Sequence, residues 1–193
     1  MAFDAGTLDE ALTTLGEVLE SRKLRFEVVA IGGGALLLLG VLDRPTKDLD
    51  IVALVNGGHL RTSEPFPPEL AEACADVARA MTLARNWMNP GPTSLLDYGL
   101  PEGFATRAER RSYGSGLVVH IASRIDQVHF KFYATVDDGP RSKHMQDLKR
   151  LAPTHDELRA AARWAVTHDT SAPFRELCRE VLGVFGAESS FDD

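Results

Sequence analysis

The chain has 193 residues, 44% of them hydrophobic, which is enough to bury a core without disulfides or a structural metal. Its formal net charge of −7 argues against a protein that coats nucleic acid non-specifically. The longest apolar run, around Ala35–Leu39, falls far short of the roughly 20 residues of a membrane span, and the acidic start MAFDAGTLDEALTTL lacks the basic region of a secretory signal, so a soluble, cytoplasmic protein with no membrane partner is expected.

Thr7-x-x-Glu10 has the form of a capping box, and Leu8, Leu12, Leu15 and Leu19 follow at helical spacing, which predicts an amphipathic helix over 8–22. FEVVAI at 26–31 is short, β-branched and apolar, as a buried strand is. Gly32, Gly33 and Gly34 come next, then a short buried helix over Ala35–Leu39 closed by Gly40. RPTK at 44–47 reads as a loop, LDIVAL at 49–54 as a second strand with Asp48 and Asp50 at its start, and 56–66 as loop. Pro67–Pro68 opens a helix with the stripe Leu70, Cys74, Val77, Met81 and Ala84, and the breaker-rich NPGPT at 89–93 ends it. Residues 94–116 are interrupted by Gly99, Pro101, Gly103, Gly114 and Gly116 and show no periodicity.

LVVHI at 117–121 reads as a third strand, after which the chain turns helical. Ile121, Ile125, Val128, Phe132 and Val136 make one apolar stripe, and Met145, Leu148 and Leu151 mark a further helix. Thr154-x-x-Glu157 is a second capping box, opening a helix to about His168. Ser171 is placed to cap a last helix with Pro173 in its first turn and Phe174, Leu177, Val181 and Val184 inside. The acidic tail Glu188–Asp193 is expected to fray. The fold class is therefore α/β (α+β in detail): a small mixed sheet flanked by helices in residues 1–97, then a mostly helical half in 98–193. The 117–121 strand is a candidate to return to the first sheet.

Cys74 and Cys178 are the only cysteines. Two buried thiols in a reducing compartment is the favoured reading and a disulfide the alternative, while the absence of CxxC and HExxH patterns argues against zinc. Arg107, Arg110, Arg111, Arg124, Lys131, Arg141, Lys143, Lys149 and Arg150 outnumber the five acids of residues 105–150. This is either a solvated mixed surface or a local basic face toward a polyanion.

The informative segment runs from Ile31-Gly32-Gly33-Gly34 to Arg44-Pro45-Thr46-Lys47-Asp48-Leu49-Asp50. A strand that ends in glycines opening a helix leaves backbone amides for phosphate oxygens and lets the main chain approach closely. Asp48 and Asp50, two apart on a strand, project from one face, where two hard oxygen ligands can hold Mg²⁺. Carried back, the same alternation sets Thr46 on that side as well, although a loop threonine also serves simply to cap or turn the backbone. Three glycines also suffice for a tight turn with no ligand, and Asp-x-Asp is common in loops. A dinucleotide-binding reading fits less well, because GGGALLLLG lacks the G-x-G-x-x-G pattern.

The ordered set of hydrophobic strand, Gly-Gly, short helix and Arg-x-Thr-x-Asp-hydrophobic-Asp resembles the first motif of the nucleotidyltransferase superfamily. Within it the chain is similar to the AbiEii-like branch, which includes toxins of bacterial toxin–antitoxin systems. SRIDQVHFKFYA at 123–134 resembles that branch's lysine-bearing helix, KHMQDL at 143–148 its later Asp-Leu motif, and PTHDEL with Ala161-Ala162-Arg163-Trp164 its following segment. The resemblance covers most of residues 26–168. It implies a nucleotidyltransferase-like core completed by the C-terminal lobe, with Gly32 and Gly33 as the glycine pair and Asp48 and Asp50 as metal carboxylates. It further implies Lys131 as a nucleotide contact, and Asp147 as a late acid that orients Lys131 or activates the acceptor. On a helical wheel Arg124, Gln127, Lys131 and Asp138 share a polar stripe, so Lys131 is either that contact or a lysine snorkelling at a core edge.

The implied activity is Mg²⁺-dependent transfer of a nucleotidyl group from an NTP to an acceptor hydroxyl, with tRNA or another RNA among the acceptors and a cognate antitoxin as partner. The alternatives are an inactive nucleotide- or protein-binding module of the same fold and a small-molecule nucleotidyltransferase. One departure stands out: LVVHI offers His120 where many nucleotidyltransferases place a third strand carboxylate, leaving Asp147 to compensate.

Overall fold

A computed structural model describes residues 2–187, so the tail Glu188–Asp193 lies outside the described residues. The chain divides into two compact units, Met1–Asp97 with Ala105–Ala122, and Tyr98–Phe104 with Ser123–Asp193. Residues 105–122 lie in the first unit, past the expected boundary at 97/98, because their two strands extend that unit's sheet.

In the first unit the elements are α1 (Ala5–Ser21), β1 (Phe26–Ile31), α2 (Gly32–Leu38), β2 (Leu49–Asn56), β3 (His59–Arg61), α3 (Pro68–Ala80) and β4 (Met88–Asn89). A 3₁₀ helix follows at Gly91–Leu96, α4 (Phe104–Arg107) is a single turn where the chain passes back from the second unit, and β5 (Glu109–Tyr113) and β6 (Leu117–Ile121) complete the sheet. The sheet is mixed and open, in the order β3-β2-β1-β6-β5 with β4 beside β2. β1 pairs antiparallel with β2 and parallel with β6, so FEVVAI lies in the middle of the sheet, where an apolar β-branched strand buried on both faces belongs. α1 covers the sheet with Leu8, Leu12, Leu15 and Leu19 fully buried. Gly16 lets it approach closely, since a Cβ there would lie 2.1 Å from the Tyr113 carbonyl oxygen.

Several boundaries differ from expectation for local reasons. The cap of α1 is Asp4, whose Oδ1 accepts from the Thr7 amide at 2.8 Å, so the helix begins one turn before the Thr7 box. Within the expected 56–66 loop, Asn56-Gly57-Gly58-His59 makes a hairpin to β3, both glycines having positive φ as a two-residue turn requires. α3 stops at Ala80, and the chain beyond it anchors Trp87 and forms β4, so Met81 and Ala84 are not part of a helical stripe.

The second unit is helical: α5 (Arg124–Asp138), α6 (Lys143–Arg150), α7 (His155–His168) and α8 (Ala172–Val184). α5 packs against the other three, which buries Val128, Phe132 and Val136 together with Met145, Leu148, Leu158, Ala161, Cys178 and Val181. Ser123 caps α5, so Ile121 belongs to β6 and Ile125 is 39% exposed. Thr154 and Glu157 make the expected capping box, and Ser171 caps α8, on which Leu177 and Val184 are exposed. Cys74 and Cys178 are buried thiols not joined in a disulfide, and burial pushes Cys74 up to about 12. Among the described residues no helix is long and apolar enough to cross a membrane.

Candidate functional site

In the first unit the two halves of the glycine–aspartate segment pack directly on one another. β1 runs through Ile31 into Gly32, the first residue of α2, and Ile31 is paired with Asp50 on β2. Gly32 has φ +74°, a conformation that costs a side-chain-bearing residue, and a Cβ built on it would lie 2.4 Å from Asp50 Oδ2. A Cβ on Gly33 would lie 3.1 Å from Thr46 Oγ1, and one on Gly34 would lie 2.8 Å from Leu49 Cδ1 and 2.9 Å from the Asp48 carbonyl oxygen. Each glycine therefore makes room for one part of the Thr46–Asp50 segment. Thr46 is fixed by a two-way backbone bridge to Phe3, with N···O distances of 2.9 and 2.6 Å, and its hydroxyl donates to the Asp48 carbonyl at 3.4 Å.

No protein family, curated protein or solved structure matches the chain. The site's chemistry must be read from its own side chains.

β2 begins at Leu49, so Asp48 stands one residue before the strand, half-buried, on a hollow of about 380 Å³ lined also by Ala2, Lys47, Ala84 and Asn86. Asp50 is half-buried on the strand, and its Oδ1 accepts from Asn89 Nδ2 at 2.9 Å. The sequence pattern does not single out Asn89, which opens the breaker run NPGPT. The usable signal was Trp87 two residues earlier, a large residue whose burial pins the segment to the core. The donors offered by Asp48, Asp50 and Thr46 are hard oxygens, which suit Mg²⁺ and not a thiol- or imidazole-seeking metal. Among the described residues no group of three or more His, Cys, Asp or Glu side chains is placed to hold a metal. At the position expected for a third carboxylate, His120 Nε2 lies 3.0 Å from Glu27 Oε2. Arg25 first, then His120, holds the Glu27 carboxyl below its ordinary value.

Lys131 and Asp147 belong to the second unit. Lys131 Nζ lies 2.8 Å from Asp147 Oδ2, with the two side chains 5% and 0% exposed. The polar stripe expected on α5 is only in part a solvent face: Gln127 and Lys131 are buried, Asp138 is exposed, and Arg124 Nη2 donates to both Glu157 carboxylate oxygens at 2.6 and 2.8 Å. Burial first, then Lys131 and Lys143, holds the nearby His144 below its ordinary value. The basic 105–150 stretch is divided between the units, and Arg111, Arg124 and Lys131 are each paired to an acid.

Proposed function

We propose that the first unit binds a nucleoside triphosphate with Mg²⁺ and that the protein is a nucleotidyltransferase of the AbiEii-like kind. The observation that carries this reading is the seating of Asp50 over Gly32 and of Thr46 over Gly33, which sets oxygen ligands against the glycine turn. Asp48 and Asp50 would hold Mg²⁺, which supplies charge neutralisation at the phosphates. In the reaction an acceptor hydroxyl oxygen attacks the α-phosphorus of the NTP, the bond to the β-phosphate oxygen breaks, pyrophosphate leaves and the acceptor proton passes to solvent. The chain's contribution is positioning and fixed electrostatics. A phosphate-contact role for Lys131, oriented by Asp147, rests on the sequence resemblance alone. An RNA acceptor such as tRNA and a cognate antitoxin partner rest on the sequence resemblance.

The experiment is incubation with each α-labelled NTP, Mg²⁺ and total RNA. Label should pass to RNA with the wild-type chain and fall at least about 100-fold in Asp48→Ala and in Asp50→Ala, with circular dichroism unchanged. Wild-type turnover by either variant overturns the metal assignment. The hollow beside Asp48 is of a size that suits a small molecule, which favours a small hydroxyl or amine acceptor as the second reading. The same assay with such acceptors in place of RNA separates the two.

A further inference from the structure

Asp50 is held from across the sheet. β4 lies parallel to β2, with Leu49 opposite Met88 and Asp50 opposite Asn89. Asn89 Nδ2 donates to Asp50 Oδ1 at 2.9 Å, and Asn89 Oδ1 accepts from the Gly91 amide at 3.0 Å. The two contacts fix which way the amide points: an ionised carboxylate only accepts and a backbone N–H only donates, so a flipped amide would lose both.

The segment bearing Asn89 is anchored on both sides. Trp87 is fully buried, its indole N–H donates to the Cys74 carbonyl at 3.0 Å, and its own carbonyl accepts from the Leu49 amide at 2.7 Å. On the far side the buried Ser63 hydroxyl lies 2.8 Å from the Ile51 carbonyl and 3.4 Å from that of Pro90, while its amide donates to Thr93 Oγ1 at 2.9 Å. A local Asx turn accounts for the Gly91 contact. It does not account for an amide aimed at a carboxylate 39 residues away in sequence.

We propose that Asn89 is the positioning residue of the site, its amide holding the Asp50 carboxylate in the orientation that receives the cation–nucleotide, and its neutrality keeping the site's acidic charge to the two aspartates. This rests on the nucleotide–Mg²⁺ reading. An aspartate at 89 has the same shape but, when ionised, cannot donate to Asp50 and would face it as a like charge that a bound cation relieves.

The test uses the full chain as wild type, Asn89→Ala and Asn89→Asp, with Mn²⁺ alone as the probe. Mn²⁺ affinity is read by calorimetry and Tm is read with and without Mn²⁺. Asn89→Ala should bind Mn²⁺ about 10–100-fold more weakly than wild type. Asn89→Asp should melt below wild type without Mn²⁺ and recover with it, by a larger Mn²⁺-induced rise than wild type shows. A merely structural Asn89 would instead lower Tm equally with and without the ion. Wild-type Mn²⁺ affinity in Asn89→Ala, or a Tm of Asn89→Asp no more responsive to Mn²⁺ than wild type, overturns the role of Asn89 alone. If the wild-type chain binds neither Mn²⁺ nor Mg·ATP, the nucleotide reading falls and the role of Asn89 with it. Should Asn89→Ala not fold, Asn89→Ser carries the same affinity measurement.

Discussion

Gly32 and Gly40 bracket α2, and replacing each with alanine separates backbone strain from contact with Asp50. Their φ values, +74° and +69°, are nearly the same, so an alanine carries a similar left-handed penalty of about 1–2 kcal/mol at either place. Around Gly40 nothing lies within 4 Å of the added Cβ, and that penalty is the whole cost. At Gly32 the Cβ would lie 2.4 Å from Asp50 Oδ2 and 3.3 Å from its Cγ, so the carboxylate must withdraw by about 1 Å to reach ordinary contact. Withdrawal strains the 2.9 Å hydrogen bond from Asn89, and a hydrogen bond to a charged group is worth about 1.5–3 kcal/mol. Gly32→Ala should therefore lose about 2.5–5 kcal/mol, against about 1–2 kcal/mol for Gly40→Ala. Urea denaturation in a Trp164→Phe background reads the first unit alone, because Trp87, the other tryptophan, is buried in it. Mg·ATP affinity should fall with Gly32→Ala and hold with Gly40→Ala. Equal stability losses for the two variants would refute a carboxylate seated over Gly32.

In the second unit, Lys131→Met alone should cost about 3–5 kcal/mol, because it takes the buried Asp147 carboxylate's 2.8 Å partner, while Lys131→Met with Asp147→Leu should recover most of that loss. Additive losses in urea unfolding followed by Trp164 fluorescence would show that the pair is not coupled. Thr46→Glu should abolish nucleotidyl transfer by setting a bulky anion beside Gly33 and Asp48, whereas Thr46→Ser retains much of it; near-normal Mg·ATP affinity in Thr46→Glu would remove Thr46 from the site. Burial pushes the Glu157 carboxyl up, but the Arg124 guanidinium and the Thr154 amide more than offset this and leave it below the ordinary 4.5. As pH falls from that value the unfolded chain takes up the proton first, so the stability from this group is complete above the unfolded pKa and is lost as pH falls through the lower folded one. Glu157→Gln should flatten the acid limb of a stability–pH curve measured by urea midpoints, and an unchanged limb would refute the assignment.

The strands buried on both faces were legible residue by residue: FEVVAI and LVVHI form β1 and β6 with the expected limits. β5 was not, because ERRSY is an edge strand whose charged side chains carry no apolar alternation. At Thr154 the capping box stands alone and forms as its pattern predicts, whereas at Thr7 a competing Asp4 one turn earlier captures the helix start. The helical wheel of α5 identifies a polar stripe but cannot say that its middle, Gln127 and Lys131, is buried while Arg124 and Asp138 at its ends keep exposed surface, since that is a tertiary fact. The closeness of the glycines to Thr46 and Asp50 was suggested by short-range order. The hold of Asn89 on Asp50 was not, because it depends on Trp87 returning the chain to β2 after a helix and a loop.

Because β6 is the parallel neighbour of β1, the central strand of the sheet waits a long time for its partner during synthesis. Phe26 pairs with Leu117 and Ala30 with Ile121, and at ribosomal rates of about 5–20 residues per second the second strand emerges roughly 4–17 s after the first. Once β2 has emerged, and until β6 does, β1 has β2 on one side and an open, apolar hydrogen-bonding edge on the other. A fragment ending at Asp97 would carry that edge permanently and should aggregate. The nascent chain must shield FEVVAI until the hairpin at 109–121 arrives to close it, which makes this stretch a natural point for chaperone capture during translation.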